Sequence, residues 1–206
     1  MRFLNVYLKE NEEKFSLENL DAFPSLSKKV QYAKSKLKKI GEGSSRIVFD
    51  LDDGYVLKLA KNTKGFEQNM QDGDWGKHRM YPNLLPELKD VDSSDDVAWV
   101  VIKKAEKITE KQFEALTKIN FKTFSKALNE KYLYLNGKVK KMTDEYEKLI
   151  DDSEFLQDVI DMMMSFDMLP GDMTRISSWG KVGNNAVLVD SGLTQTVFNT
   201  HYRKKK

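Results

Sequence analysis

Four groups in this chain could together handle a phosphorylated ligand. Gly41-Glu-Gly43-Ser44-Ser45-Arg46 is a glycine loop, and Lys58 closes the run Val56-Leu57-Lys58. Far downstream, Asp172 follows Gly171, and Asp190 ends the run Val187-Leu-Val189 and precedes Ser191-Gly192. A flexible backbone loop, a cation and two carboxylates are the parts that hold a nucleoside triphosphate and its divalent metal. Glycines at 41 and 43 would let the backbone approach phosphate oxygens, with main-chain N–H groups in the loop, Ser44 and Ser45 included, as donors. The loop stands between strand-like runs rather than before a helix, so it is neither a dinucleotide fingerprint nor a Walker loop. A lysine on the buried face of a strand is costly unless a phosphate and a carboxylate meet it. Three residues downstream could supply that carboxylate, Glu67, Asp72 and Asp74. Glu67 is the longer side chain and Asp72 lies further into the following helix; the sequence leaves the choice open.

The elements that must position these groups can be read from pattern. Ser16-Leu-Glu-Asn and the stretch from Ser25, just after Pro24, each start a short helix. Ile47-Val-Phe49 reads as a strand, Asp52-Asp53-Gly54 as a hairpin turn and Tyr55-Val-Leu-Lys-Leu-Ala60 as the returning strand, with Leu59 facing away from Lys58. A helix is expected over residues 65–81, then a short strand within residues 84–91, a turn at Ser93-Ser-Asp-Asp96 and the strongly strand-like Val97-Ala-Trp-Val-Val-Ile102. The second half is expected to be mainly helical. Thr109-Glu-Lys-Gln112 has the form of a capping box. Phe155, Val159, Met162, Met163 and Phe166 recur at helical spacing up to Pro170. Residues 136–152 read as a charged surface connection, and a last hairpin turns at Gly183-Asn184-Asn185. Trp179 reads as a packing residue, as do Met162 and Met163.

Composition narrows the class. The chain has 206 residues, enough for one domain or two small lobes around a cleft. Lys+Arg 34 against Asp+Glu 32 is near balance, which argues against a general nucleic-acid binder. The terminal Arg203-Lys204-Lys205-Lys206 could touch nucleic acid or an acidic partner but reads as a solubilising end. There is no cysteine, so thiolate chemistry and Cys-based metal sites are excluded, and a cytosolic setting is expected. The first ten residues hold too short an apolar run for a signal peptide, and no segment reaches the ~20 apolar residues of a membrane span. The two histidines, His78 and His201, are too far apart in polar sequence to read as a metal pair or a triad member.

The order Gly41-x-Gly43, Lys58, Asp172, Asp190 resembles that of the protein-kinase-like fold, over residues 37–193. The resemblance implies an α+β architecture: an N-terminal antiparallel sheet lobe with one helix (residues 37–104), a reduced, mainly helical C-terminal lobe with a basic tail (105–206), and an N-terminal helical extension (1–36). It implies ATP and Mg2+ as ligands. Gly41, Gly43, Ser44 and Ser45 would cover the phosphates, and Lys58 would contact the α- and β-phosphates. The backbone at Lys103 and Ala105 would pair with adenine, Asp172 would position the acceptor hydroxyl, and Asp190 would hold the metal. Ser177 stands where the family carries a second metal ligand, normally asparagine. Arg46 takes the place of the loop's third glycine, and Pro170-Gly171 replaces the usual His-Arg before the catalytic aspartate. Only 14 residues follow Gly192, so the helices that bind peptide substrates are expected to be missing. This compressed form is similar to kinase-like proteins of tailed bacteriophages, which implies action in a host bacterial cytoplasm. The resemblance supports either a phosphotransferase, acting on a protein or small-molecule hydroxyl, or a nucleotide-binding pseudokinase that regulates a host or phage protein. A scaffold that only keeps the fold is the third expectation.

Overall fold

The computed structural model describes residues 14–192 and 194–202. The readings made for the first ten residues and for the basic run at 203–206 lie outside the described residues. Ser16 Oγ accepts from the Asn19 N–H at 3.0 Å and Ser25 Oγ from the Lys28 N–H at 3.4 Å. These caps satisfy donors that a helix start otherwise leaves open, and they begin α1 (Leu17–Asp21) and α2 (Leu26–Lys36). Strands β1 (Lys38–Glu42), β2 (Arg46–Asp50) and β3 (Tyr55–Ala60) follow as a meander, then α3 (Thr63–Lys77), β4 (Leu88–Val91) and β5 (Trp99–Lys103). All pairings in this sheet are antiparallel, in the order β1-β2-β3-β5-β4.

The strand period of two sorts β3 into two faces. Leu57 and Leu59 face outward, where they pack with Ile47, Phe49, Trp99 and Val101 under Leu20 of α1 and Ala33 of α2. Trp99 Nε1 donates to Asp21 Oδ1 at 2.7 Å and pins that helical cover. Val56, Lys58 and Ala60 face inward, toward α3. That helix lies close because its glycines carry no side chain: a Cβ at Gly65 would stand 2.4 Å from the Ser45 carbonyl oxygen, and one at Gly76 2.4 Å from Leu88 Cβ.

The second half is helical with a small sheet. It runs β6 (Glu106–Lys107), α4 (Glu110–Thr117), α5 (Phe121–Leu135), α6 (Asp144–Asp151), α7 (Glu154–Ser165), α8 (Pro170–Met173), a 3-10 turn at Ile176–Ser178, β7 (Trp179–Val182), β8 (Asn185–Leu188) and α9 (Gln195–His201). Thr109 and Gln112 form the capping box of α4. Phe113, Phe124, Phe155 and Trp179 meet ring to ring at centroid distances of 5.1–6.0 Å and make the centre of this core. Together the antiparallel sheet lobe and the helical lobe make an α+β fold.

One expectation needs correction, and two further elements were not read from the sequence. Residues 136–152 are more than a surface connection: Met142 is buried, and α6 buries Ile150 while presenting its charges outward. Asp172 sits in the short helix α8, opened by Pro170 at its first position, rather than on a loop. Beyond Gly192 the chain forms α9, whose cap is Thr194 and which rests on α3.

Candidate functional site

The inward face of the sheet, the loop at residues 41–45, the strand exit at 102–107 and the stretch 172–190 enclose one cleft of about 470 Å³. That volume suits a nucleotide-sized ligand. Ile40, Val48, Val56, Ile102 and Val189 supply its apolar walls. Polar groups converge at the opposite end, and each is placed by an element already described.

Lys58 projects from the inward face of β3 and is 5% exposed. Its Nζ donates to Asp72 Oδ2 of α3 at 2.8 Å and to the Val189 carbonyl at 3.0 Å. The open choice of partner carboxylate therefore resolves to Asp72. Glu67 is corrected as a candidate: it lies about one residue's rotation off the buried stripe of α3, and its Oε2 instead faces His201 Nε2 at 2.9 Å. Asp74 is exposed and lies near His78. Asp72 carries more than one partner. The same Oδ2 accepts from Arg46 at 2.7 Å, and Oδ1 accepts from Ser191 Oγ at 2.7 Å. Burial alone would raise the Asp72 carboxyl, but Lys58 and Arg46 outweigh it and hold the group below the usual carboxylate range. Burial pulls the Lys58 amine down from its ordinary value, against the opposing pull of Asp72.

Arg46 is the residue that the sequence reading underrated. It opens β2, is 6% exposed and lines the cleft. Besides Asp72 it reaches Asn69 Oδ1 at 3.4 Å and Asp190 Oδ1 at 3.5 Å. It therefore bridges the helix α3 and the far end of the cleft. An arginine opening a strand, with an Asn–x–x–Asp pair on the next helix, was the signal available.

The downstream carboxylates face the same space. Asp190 follows β8 and its side chain is 56% exposed, with the Arg46 guanidinium 3.5 Å away. Asp172 is 19% exposed, and Arg175 stands 3.7 Å away. Trp179 Nε1 donates to the Met173 carbonyl at 2.7 Å and anchors α8, hence Asp172, on the aromatic core. Burial first, then the charge of Asp190, pushes the Asp172 carboxyl above the ordinary carboxylate range. That direction suits a group that must take up a proton. Ser177 lines the cleft beside them.

The loop differs in detail from expectation. The Gly43 N–H is spent on the Arg46 carbonyl at 2.9 Å, closing a tight turn. Ser45 is buried, and its hydroxyl donates to Gln68 Oε1 at 2.5 Å, so its side chain is committed to the fold. Ser44 Oγ accepts from Lys64 Nζ at 2.7 Å, and Lys64 also reaches the Tyr202 hydroxyl at 2.8 Å across the mouth of the cleft. At the strand exit, the Lys103 N–H is taken by the Glu87 carbonyl and the Lys104 N–H by that of Gly54. Both Lys103 and Ala105 line the cleft.

A divalent metal fits here only as a shared ligand. Among the described residues no three His, Cys, Asp or Glu side chains cluster as a ready cage. Asp172 and Asp190 leave negative charge that the described side chains balance only at 3.5–3.7 Å. Magnesium is commonly held by one or two carboxylates with phosphate oxygens completing its shell.

The chain matches no protein-family model and no curated protein. Solved structures similar to it include APH(2″)-IIa in a ternary complex with streptomycin and ATP. The identity is 15% and the TM-score 0.35, covering 82% of this chain and 72% of that one. The gentamicin complex of APH(2″)-IIa shows 15% identity and a TM-score of 0.37, over 83% and 71% of the two chains. The GDP complex of aminoglycoside 2′-phosphotransferase-IIIa shows 12% and 0.32, over 74% and 64%. What the cleft can do is read from its own residues. Among the described residues no helix is long and apolar enough to cross a membrane.

Proposed function

We propose that this chain is an ATP- and magnesium-dependent phosphotransferase. One observation carries the reading: Lys58, held by Asp72, shares a single cleft with Asp172 and Asp190 under the loop at residues 41–45. The adenine lies between Val48, Val56 and Ile102, with the Lys103 carbonyl as acceptor and the Ala105 N–H as donor. Gly41, Gly43 and Ser44 bring the loop backbone over the phosphates, and Lys58 meets the α- and β-phosphates. Asp190, with Ser177 beside it, would hold the magnesium, which would supply neutralisation of the charge developing on the phosphates. An acceptor hydroxyl attacks the γ-phosphorus as its proton passes to Asp172. The bond to the bridging oxygen breaks, and ADP leaves. Catalysis is then alignment and charge neutralisation, without a covalent intermediate. The acceptor is a hydroxyl of a protein or a small molecule, and the setting is a bacterial cytoplasm during phage infection.

A second reading, a nucleotide-binding regulator of a protein partner, is favoured by Ser177, a weaker metal ligand than asparagine at that place. Thermal unfolding with and without ATP and magnesium, on wild type and Asp190→Ala, tests nucleotide binding. A ligand that binds only the folded state must raise Tm. A magnesium-dependent rise that the variant loses is the expected result; no rise at millimolar nucleotide overturns both readings. Asp172→Asn separates them: an enzyme loses turnover and keeps ATP, whereas a regulator keeps its effect.

A further inference from the structure

The cleft holds one fixed cation more than the reading above employs. Lys58 and Arg46 both pair with Asp72, a single carboxylate, so one positive charge of the buried trio is left over. Arg46 directs that surplus toward Asp190, at 3.5 Å, and into the cleft it lines. Guanidinium presents five N–H donors in a planar fork, and the contacts to Asp72, Asn69 and Asp190 use three of them. Removing a cation from water at 6% exposure is expensive, and half-used donors make it more so. An incoming anion would satisfy both deficits. The opposite deficit sits next door, where Ser177 offers a neutral hydroxyl in place of a second metal ligand's carbonyl.

We infer that Arg46 is a phosphate-binding residue, a built-in cation that takes the charge-neutralising place of a second metal. This rests on the nucleotide-binding reading above. On nucleotide entry the fork keeps its bond to Asp72 and turns its remaining donors from Asp190 to phosphate oxygens, which frees Asp190 for the single magnesium. Arginine suits that task because its fork matches phosphate geometry and cannot be deprotonated. The site then keeps measurable nucleotide affinity without any metal.

The test is ATP affinity measured by calorimetry in EDTA and in magnesium, on wild type, Arg46→Met and Arg46→Lys. Wild type is expected to bind in both conditions. In EDTA, Arg46→Met should bind at least about tenfold more weakly than wild type, the loss of one charge-assisted contact. In magnesium its deficit should be smaller, because the metal restores neutralisation. Arg46→Lys keeps a charge near Asp72 without the fork, and should fall between them; it decides the matter if the methionine variant does not fold. Equal EDTA affinities of wild type and a folded variant would overturn the inference and leave Arg46 as a strut between Asp72 and Asp190. Binding by wild type in magnesium but none in EDTA would also overturn it, while sparing the phosphotransferase reading. Absence of binding in both conditions would remove that reading itself.

Discussion

Asp72→Ala should cost far more stability than Lys58→Met, although the two residues form one ion pair. The reason is the asymmetry around Asp72. Deleting its carboxylate leaves Lys58, 5% exposed, with no carboxylate partner and Arg46, 6% exposed, with only its longer contacts to Asn69 and Asp190, and it leaves Ser191 Oγ without its acceptor. Breaking a buried pair from one side typically costs about 3–5 kcal/mol, and the loss of the nearest partner of two buried cations at once places this variant at the upper end. Deleting the Lys58 amine instead leaves Asp72 bonded to Arg46 at 2.7 Å and to Ser191 at 2.7 Å, so no charge is stranded. What is lost is the 2.8 Å bond to Asp72 and one donor to the Val189 carbonyl, while the desolvation of the lysine is relieved. About 1–2 kcal/mol is expected. For a chain of this size 1 kcal/mol moves Tm by about 2–4 °C, so the two variants should differ by roughly 4–16 °C. Denaturant unfolding of wild type, both single variants and the double variant measures the difference and the coupling. A Lys58→Met cost equal to that of Asp72→Ala would refute the shared-carboxylate argument, as would an Asp72→Ala cost below about 1 kcal/mol.

Other expectations follow from the same geometry. Gly41→Ala and Gly43→Ala should fold with stability within about 0.5 kcal/mol of wild type, because an added Cβ meets nothing closer than 3.6 Å; ATP affinity, read by calorimetry, should nevertheless fall at least about tenfold, since the open backbone serves the ligand. Gly65→Ala should destabilise by about 1–3 kcal/mol in urea unfolding: helix propensity alone would favour alanine by about 1 kcal/mol, but the Cβ would stand 2.4 Å from the Ser45 backbone oxygen, and overpacking wins. Asp172→Asn should lower turnover at least about 100-fold while the magnesium–ATP rise in Tm persists. Its stability effect has a definite sign. Burial, then Asp190, raises the native Asp172 carboxyl, so ionised Asp172 penalises the folded state at neutral pH, and the penalty fades as pH falls through the raised value toward the ordinary one. The asparagine variant should therefore be the more stable at pH 7, with that advantage closing in acid, as thermal scans across pH would show.

The site was legible where one residue and its neighbours in sequence carry the signal. The alternation that buries Leu57 and Leu59 on one face and turns Lys58 to the other follows from strand period alone. The serine and threonine caps are equally local. The parts that escaped depend on a partner distant in sequence. Arg46 reads as a departure from a glycine pattern until Asn69, Asp72 and Asp190 are brought round it, and Asp190 is 144 positions away. Residues 136–152 look like a connection because charge dominates their composition, and burial of Ile150 becomes apparent only against the neighbouring helices. The partner of Lys58 is the instructive middle case. Gly65, Gly73 and Gly76 recur with Asn69 and Asp72 at helical spacing, and the glycines let α3 approach the sheet. Glycines and polar side chains make up most of the buried stripe, with Trp75 the one large apolar residue on it, so a search for hydrophobic periodicity passes over it. Once the glycines are taken as the contact face, Asp72 lies on it, whereas Glu67 and Asp74 do not. A carboxylate on a glycine-marked face must be buried, and a buried carboxylate must have cations waiting, which is the requirement that Lys58 and Arg46 together meet.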